Sequence, residues 1–527
     1  MYVPQPDGSI RKLWTFQGGL NLPDKKAISN GQPIVLPAPP EKLILPLQQN
    51  IGLSPKILVN SNEWILKGQL IATPQGNVSA ALHAPTSGQV LAIEEHLVPH
   101  PSQLPATCII IIADGQDTWG WLPKPMLDHA IRPVEELQER IRWAGIVGLG
   151  GAAFPSSAKL NQSLETPIET LIINGVECEP YITCDDMLMR TRPQRIITGV
   201  QILLRILDIK QCIIGIEDNK PEAIAALYEQ VKALNLQNIQ LVRVPTLYPS
   251  GGERQLIRLL TGREVPSQKL PSQIGIVCHN VATTAAIADA VLDGRPLISR
   301  LVTVTGQGIK APCNIDALIG TPMADLIAHA GGYTPLARKL ILGGPMMGFA
   351  LPTDELPITK STNCLLVASR IEAPDAMPTQ PCIRCGACAR VCPANLLPQQ
   401  LYWHCRAKNL DKAKAYYLFD CIECGCCSHV CPSHIPLVQY YRAVKSAIRA
   451  KDEEQRKAKQ ARRRYEARTM RLQQQEAVRQ ARLRERQVAT VNDTSTEDTK
   501  KAIIAAALNR VAAKKQAIQT IDSTTTN

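Results

Sequence analysis

The sequence predicts a multidomain protein of mixed α/β and α+β class. Its 527 residues are too many for one hydrophobic core, and a hydrophobic fraction of 45% is ordinary for a globular chain. Short apolar runs broken by Gly and Pro fill the first part, strands and helices alternate in the middle, and cysteines cluster towards the end. Each part therefore predicts a different domain.

Residues 32–114 predict a small β-sandwich. The stretches "LILPLQQNIG", "WILKGQLIATPQG" and "HAPTSGQVLAI" are short apolar runs separated by turn residues. The turn from His83 to Gly88 resembles that of biotinyl and lipoyl carrier domains, which are barrel-sandwich hybrids. The lysine that those carriers modify is missing, so we expect a docking or packing module rather than a swinging arm.

Two further domains are predicted before the cysteines. In residues 130–295 the amphipathic "PVEELQERIRWAG" and the helical "PEAIAALYEQVKAL" alternate with the apolar runs "TLIIN", "CIIGIED" and "IQLVRVP". Such alternation predicts an α/β domain with a largely parallel sheet. In residues 300–350, "LVTVTG", "TPMADLIAHAGG" and "RKLILGGPMMG" predict strand, helix and strand, the outline of a β-grasp unit.

Residues 370–445 contain two copies of one cysteine motif, "CIRCGACARVCP" and "CIECGCCSHVCP". Each has the C-x-x-C-x-x-C-x-x-x-C-P spacing that holds a [4Fe–4S] cluster, and a zinc or purely structural interpretation is disfavoured. In two-cluster ferredoxins the fourth cysteine of each motif binds the other cluster. The predicted ligand sets are therefore Cys382, Cys385, Cys388 and Cys431 for one cluster, and Cys421, Cys424, Cys427 and Cys392 for the other.

The remaining cysteines fit no such motif. Cys426 is predicted to be a spare thiol beside a cluster, and Cys405 lies in the helical segment between the motifs. Cys178 and Cys184 are more simply buried small residues. Metal binding in a reducing compartment is favoured over disulfides, because the first residues lack the apolar core of a secretory signal.

The basic charge is concentrated after the cysteines. The net charge is +12, and residues 451–491 contain 13 Lys and Arg against 6 Asp and Glu. Residues 450–527 therefore predict a basic tail that is a solvated helix or disordered. No apolar run approaches the roughly 20 residues that span a bilayer, so we expect a soluble, cytoplasmic chain. Binding of nucleic acid is not expected.

A glycine-rich stretch, "AGIVGLGGAAFPSSAKL", follows the predicted amphipathic helix. Glycines such as Gly148, Gly150 and Gly151 let backbone N–H groups approach phosphates, and Lys159 can supply a positive charge. The stretch does not fit the G-x-G-x-x-G pattern after a strand, and glycines also make simple turns. On these residues alone, a nucleotide site and a turn remain equally open.

The segment "GLGGAAFPSSAK" resembles the glycine-rich loop of the NADH- and FMN-binding subunit of respiratory complex I. The segments "NGVECEP", "IGIEDNKPEA", "YPSGGERQLIRLLTGREVP" and "HNVATTAAI" follow in the same order. Together with the sandwich and the two cysteine motifs, residues 10–445 are similar to the C subunits of Rnf electron transport complexes. Ala153 and Ser156 stand where that loop usually has Gly and Thr.

The resemblance implies a set of cofactor-binding residues. Gly148, Gly150, Gly151 and Phe154 would form the loop over the dinucleotide, with Lys159 near a phosphate. Asn174, Glu177 and Glu179 match the segment that bonds the flavin and the nicotinamide ribose, although the two carboxylates could instead face solvent. Glu217 and Asn280 follow strands at the edge where α/β sheets bind ligands, and Gly251 and Gly252 would line the same crevice.

The resemblance also implies a function. The chain would oxidise NADH on FMN and relay single electrons through two [4Fe–4S] clusters towards ferredoxin or a similar acceptor. It would do so as a peripheral subunit on the cytoplasmic face of the cell inner membrane, bound to the other subunits of an ion-translocating complex. Two alternatives are a soluble diaphorase subunit and a ferredoxin-like adaptor whose α/β domain only docks partners.

Overall fold

The structure is a computed structural model that describes residues 2–161, 166–375, 377–492 and 497–522. Its contacts divide the chain into two units, residues 1–445 and 446–527. The first unit contains the sandwich, the α/β domain, the β-grasp domain and the cysteine domain, and the second contains the basic tail.

An N-terminal segment joins parts of the chain that are far apart in sequence. It begins with an antiparallel hairpin of β1 (Tyr2–Pro4) and β2 (Ile10–Lys12). The Gly19 N–H then donates to the Val391 carbonyl at 3.0 Å, and Leu20 and Tyr248 exchange two backbone hydrogen bonds of 2.8 and 3.0 Å. The segment thus touches both the cysteine domain and the α/β domain.

The predicted sandwich is confirmed. Two antiparallel sheets face each other, one in the order β3-β9-β8-β5 and the other β4-β6-β7. Their inner residues, such as Leu43, Ile71 and Ile109, are fully buried, because alternate side chains of each strand point to one face. The strands are β3 (Lys42–Pro46), β4 (Lys56–Ile57), β5 (Trp64–Ile65), β6 (Leu70–Thr73), β7 (Leu82–His83), β8 (Gly88–Leu97) and β9 (Pro105–Ala113).

The α/β domain is built on a four-stranded, entirely parallel sheet. Its strands are β10 (Thr170–Gly175), β11 (Gln211–Glu217), β12 (Ile239–Val244) and β13 (Ile276–Asn280). Its helices are α1 (Val134–Trp143), α2 (Ser156–Leu160), α3 (Cys184–Thr191), α4 (Pro193–Leu207), α5 (Pro221–Ala233), α6 (Glu253–Thr261) and α7 (Val281–Leu292). The order β12-β11-β10-β13 reverses direction at β10, and α/β sheets bind ligands outside the carboxyl ends of the strands at such a point.

The sheet of the β-grasp domain includes one strand from beyond residues 300–350. Its order is β15-β14-β18-β16-β17 around α8 (Met323–His329). The strands are β14 (Ser299–Thr305), β15 (Cys313–Leu318), β16 (Lys339–Leu342), β17 (Phe349–Ala350) and β18 (Cys364–Ala368). Because β18 lies between β14 and β16, this later segment completes the sheet.

The cysteine domain is helical, as predicted. It contains α9 (Ala387–Arg390), α10 (Pro398–Arg406), α11 (Leu410–Ala415) and α12 (Cys426–His429). The start of α13 (Leu437–Asn492) closes this small core, where the buried Tyr441 donates from its hydroxyl to the Pro398 carbonyl at 2.6 Å.

The rest of α13 and the following α14 (Glu497–Asp522) form the helical tail. Almost all its described side chains are exposed, in agreement with the predicted solvated helix. Across the described ranges, no helix combines the length and the apolar character needed to cross a bilayer.

Candidate functional site

The carboxyl edge of the parallel sheet, where the strand order reverses, is the expected ligand-binding side of the α/β domain, and we call it the crevice. Asn174 at the end of β10 is paired in register with Asn280 at the end of β13. The Asn280 side chain accepts hydrogen bonds from the N–H groups of Ala282 and Thr283 and so caps α7. The Asn174 amide donates to the Gly251 carbonyl at 2.8 Å. The structure therefore brings together Asn174, Asn280 and Gly251, as the sequence predicts.

The glycine-rich loop between α1 and α2 borders this crevice. The loop is closed by hydrogen bonds from the Gly148 N–H to the Phe154 carbonyl, 2.8 Å, and from the Ala153 N–H to the Gly148 carbonyl, 3.0 Å. Gly150 and Gly151 are exposed, and a Cβ added at Gly150 would lie 3.4 Å from the Asn280 side chain. Gly151 has φ +105°, which side chains rarely adopt, so this position favours glycine for backbone reasons alone.

Ala153 adopts a left-handed conformation with φ +49° although it is not glycine. Left-handed backbone costs a residue with a Cβ roughly 1–2 kcal/mol. The Ala153 side chain is buried and its carbonyl accepts from the Ile51 N–H at 3.1 Å, so contacts with the sandwich hold the strained residue in place. This explains why glycine is usual at the matching position of the resembling loops.

Lys159 lies at the crevice but is paired within the protein. Its ammonium donates to the Glu253 carboxylate at 2.9 Å and to the Cys278 carbonyl. Glu253 is the first residue of α6, directly after Gly251 and Gly252. These two glycines were predicted from the sequence, whereas Glu253 was missed, although it stands next to them in the same motif. Lys159 and Glu253 therefore form one charged pair at the rim of the crevice.

Two buried cations support the glycine-rich loop from the protein side. The Arg300 guanidinium donates to the carbonyls of Leu149, at 3.0 Å, and Lys360. The Lys360 ammonium in turn donates to the carbonyls of Ala81 and Gly145, each at 2.7 Å. Burial lowers the pKa of Lys360 to about 7. These bonds fasten the sandwich, the α/β domain and the β-grasp domain together at the base of the loop.

Glu177 and Glu179 do not point freely into the crevice. Glu177 accepts the N–H groups of Asp185, at 2.7 Å, and Asp186, at 3.3 Å, at the start of α3. Burial raises the pKa of Glu177 to about 8, although the nearby positive charge of Lys26 lowers that pKa. Glu179 accepts the N–H groups of Met346, at 2.7 Å, and Met347, at 3.0 Å, in the turn between β16 and β17. The ribose contacts that the resemblance implies would therefore require both carboxylates to give up protein partners.

Lys26 holds the segment that carries these two glutamates. Its ammonium donates to the carbonyls of Glu177, Glu179 and Ile182 at 2.8, 3.1 and 2.6 Å. Burial lowers the pKa of Lys26, and the nearby Lys220 lowers it further. No sequence pattern indicated this lysine, since its partners are about 150 residues away along the chain.

Glu217 is the last residue of β11, at the predicted end of the strand. We expected it to face the crevice from the end of β11, but its side chain is fully buried. Its carboxylate accepts from the Lys220 ammonium at 3.1 Å and from the Ser250 hydroxyl at 3.2 Å. Burial alone would lower the pKa of Lys220, but the fields of Glu217 and Glu177 raise it. Glu217 therefore supports the loop that carries Gly251 and Gly252 from below.

The eight motif cysteines fall into two groups in space. A pocket of the cysteine domain is lined by Cys382, Cys385, Cys388 and Cys431, which we call the first quartet. The thiol of Cys421 interacts with those of Cys424 and Cys392, and the thiol of Cys427 interacts with all three and also with Cys388; we call Cys421, Cys424, Cys427 and Cys392 the second quartet. Each quartet thus combines three cysteines of one motif with the last cysteine of the other, and four thiolates around one pocket suit a [4Fe–4S] cluster. The exact ligand sets stay a prediction.

Cys426 and Cys405 belong to neither quartet. Cys426 is fully buried, and its side chain is hydrogen-bonded to that of Cys424 in the second quartet. Cys405 is buried in α10 and does not line the pocket of the first quartet.

Four family models match the chain. They are the RnfC barrel sandwich hybrid domain over residues 14–116, the Nuo51 FMN-binding domain over 141–289, the SLBB domain over 301–350 and the 4Fe-4S dicluster domain over 381–435. FMN and [4Fe–4S] clusters are therefore the cofactors of this chain. An FMN domain and a dicluster domain in one chain define an iron–sulfur flavoprotein that transfers electrons.

The relatives identify the family within this class. Proteins named as the C subunit of an ion-translocating oxidoreductase complex are 52% identical in Pseudomonas aeruginosa, 46% in Yersinia enterocolitica and 48% in Yersinia pestis. The matches cover 89%, 95% and 91% of this chain and 60%, 70% and 76% of those proteins. The chain belongs to this family of C subunits. It spans about three fifths of the length of some of these relatives, including the one from Pseudomonas aeruginosa.

A solved structure that matches part of this chain is an NAD⁺-reducing [NiFe]-hydrogenase in its H₂-reduced state. The identity is 17% and the TM-score is 0.42, with 61% of this chain and 63% of that chain covered. The air-oxidised state of such a hydrogenase matches at 19% identity with a TM-score of 0.40, over 56% of this chain and 58% of that one.

Proposed function

We propose that this chain oxidises NADH at the crevice of its α/β domain and delivers the electrons singly to the two cysteine quartets. FMN, when bound, would accept the electron pair of a hydride and release the electrons one at a time, which a one-electron cluster requires. The observation that carries the proposal is that the flavin domain and both quartets belong to one unit of the structure, in which Tyr248 of the flavin domain bonds the Cys424 carbonyl of the second quartet.

The residues at the crevice suit a flavin and a dinucleotide. The exposed backbone at Gly150 and Gly151 lets phosphates and rings approach the chain closely. Lys159 would exchange part of its bond with Glu253 for a phosphate, and Asn174 and Asn280, whose amides are bonded within the protein, lie at the ends of the strands beside it. The carboxylate of Glu253, which is partly exposed, would repel the additional phosphate of NADPH.

We place this activity in a membrane complex. The relatives are named as subunits of an ion-translocating oxidoreductase complex, which supports a peripheral position on the cytoplasmic face of the membrane beside the other subunits. Ferredoxin or a similar one-electron carrier would be the acceptor. The soluble diaphorase remains the alternative, and co-purification with hydrophobic subunits would separate the two.

The test is an anaerobic reaction of the purified chain after flavin, iron and sulfide analysis. NADH should bleach both the flavin and the cluster absorbance, and NADPH should act much more slowly. A protein that contains flavin and clusters and reacts with dithionite but not with NADH would refute the proposed donor. A preparation that incorporates no flavin would instead support the docking adaptor.

A further inference from the structure

We propose that the two quartets act in a fixed order: the second quartet takes electrons from the flavin crevice, and the first quartet passes them out of the protein. This inference rests on the proposed function for its source of electrons. The order depends on which cysteines face the crevice. Neither the domain matches nor the names of the relatives assign this position to either quartet.

One loop of the α/β domain touches both the crevice and the second quartet. Tyr248 lies in the loop between β12 and α6, its side chain is buried, and its hydroxyl donates to the Cys424 carbonyl at 2.7 Å. Three residues further along the same loop, the Gly251 carbonyl accepts from the Asn174 amide. A single short segment therefore connects the predicted flavin site with a predicted cluster ligand.

Cys178 packs between the crevice and the second quartet. Cys178 lies between Glu177 and Glu179, and a Cβ added at Gly251 would lie 2.9 Å from its sulfur. Cys178 packs on a buried cluster that contains Tyr248, Cys424 and Cys426. Electron transfer through protein weakens steeply with distance, so a packed path of this kind favours the second quartet as the first acceptor.

A second contact reaches the same quartet from another side. The Gln255 side chain, in the first turn of α6, donates to the Pro393 carbonyl at 3.3 Å, directly after Cys392. The residue before Cys392, Val391, accepts the N–H of Gly19. The α/β domain and the N-terminal segment thus hold both cysteine stretches of the second quartet, although Cys392 and Cys424 belong to different motifs.

The first quartet has a different environment. Its pocket is lined by residues of the cysteine domain alone, from Cys382 to Leu437, and the α/β domain contributes none of the described lining residues. Cys385 is exposed, and the neighbouring Ile383 is 67% exposed. An exposed ligand beside an exposed apolar side chain is the arrangement needed where an electron leaves the protein for a partner.

The order is consistent with the electron balance. NADH gives up two electrons and one proton in becoming NAD⁺, and each quartet's cluster takes up one electron. One NADH therefore reduces both clusters, and the first quartet fills only by transfer from the second. Nothing beyond NADH and the two clusters is consumed.

The test compares two variants of the full chain, each of which leaves one quartet intact. In Cys385→Ala the second quartet keeps all four thiols, and in Cys421→Ala the first quartet does. Cluster reduction is followed anaerobically by electron paramagnetic resonance after rapid mixing with NADH, and dithionite shows that the remaining cluster is present. We expect NADH to reduce the remaining cluster of Cys385→Ala within about threefold of the wild-type rate. The remaining cluster of Cys421→Ala should respond to NADH at least 100-fold more slowly.

The outcomes separate this inference from the proposed function. If wild type does not respond to NADH, the proposed donor fails, and light-driven reduction of the flavin in the same two variants then decides the order. Fast reduction of the remaining cluster in Cys421→Ala, by either route, would overturn the inference.

A milder pair of variants covers the case in which a cysteine variant loses both clusters. Tyr248→Phe removes the hydroxyl that bonds Cys424, and Tyr402→Phe changes a residue that lines the pocket of the first quartet. A redox titration should show a lower potential for the cluster of the second quartet in Tyr248→Phe, because a hydrogen-bond donor beside a ligand is lost. Tyr402→Phe should leave that cluster unchanged. A shift of the other cluster's potential in Tyr248→Phe would contradict the assignment.

Discussion

Replacement of Gly151 by valine tests whether the glycine-rich loop binds the flavin through its backbone shape. Gly151 has φ +105°, and a Cβ added there would meet no protein atom within 4 Å. Valine at this position therefore meets no clash with the protein itself, but the backbone must leave its conformation. The loop between Gly148 and Phe154 would change shape beside Asn280.

The size of the effect follows from the backbone angle. Sparsely populated conformations of this kind cost of order 1–3 kcal/mol for a residue with a side chain. If the loop must return to its present shape to bind FMN, that energy is taken from the binding free energy. The dissociation constant of FMN should then rise about 5- to 150-fold. Gly151→Asn should have a smaller effect, because asparagine adopts left-handed conformations more readily.

The measurement is a titration of flavin-free protein with FMN, followed by quenching of the flavin fluorescence. The matched control is Gly115→Val, since Gly115 also has a positive φ of +74° and open space but lies in the turn after β9. The control should bind FMN like wild type. Equal affinity of Gly151→Val and wild type would refute the reasoning, and equal losses in the Asn and Val variants would assign the effect to contact with the cofactor instead.

Four further predictions concern other parts of the chain. Cys431→Ser should abolish the paramagnetic signal of the cluster that Cys382, Cys385 and Cys388 would hold and preserve the other, and loss of the other signal alone would contradict the crossed ligand sets. Glu179→Ala should remove the charged acceptor of the Met346 and Met347 N–H groups and destabilise the protein by about 1.5–3 kcal/mol, seen in thermal unfolding and in faster hydrogen exchange of the turn after β16. Lys360 has a folded pKa of about 7, below its unfolded value of 10.5, so the unfolded chain binds more protons between these pH values and the free energy of unfolding rises with pH there. In urea titrations from pH 7 to 9, this rise should be smaller in Lys360→Met than in wild type by up to about 1.4 kcal/mol per pH unit. An equal rise in both proteins would refute the role of Lys360. Truncation after Ala450 should preserve iron content and NADH oxidation, whereas loss of the clusters would show that the tail stabilises the first unit.

Local patterns in the sequence predicted the parts of this structure that depend on neighbouring residues. The cysteine spacing indicated two quartets, and the apolar runs indicated the strands of the parallel sheet. Asn174 and Asn280 could be placed side by side from the sequence, because residues that end adjacent parallel strands must meet at one edge. The bounds of these elements follow from periodicity and turn residues, which act over a few positions.

Features that depend on distant residues could not be found in this way. Glu217 follows a strand as a ligand-binding carboxylate would, yet the buried Lys220 and Ser250 turn it inwards. The pairing of β18 with β14 and β16 could not be predicted, because about 60 residues separate β18 from β14. Tyr248 opens the segment "YPSGGERQLIRLLTGREVP", but its contact could not be predicted, since its hydroxyl bonds a carbonyl 176 positions away.

The N-terminal segment also bears on how the protein is made. Gly19 and Leu20 emerge from the ribosome early, but Val391, which accepts the Gly19 N–H, is synthesised only after the sandwich, the α/β domain and the β-grasp domain. At about 5–20 residues per second, this delay is on the order of half a minute. The segment must therefore wait, partly unpaired, until the cysteine domain arrives, so docking of the cysteine domain is a late step of biosynthesis. Iron–sulfur assembly factors consequently have a period in which the cysteines of the second quartet are still accessible, before Tyr248 and the N-terminal segment cover them.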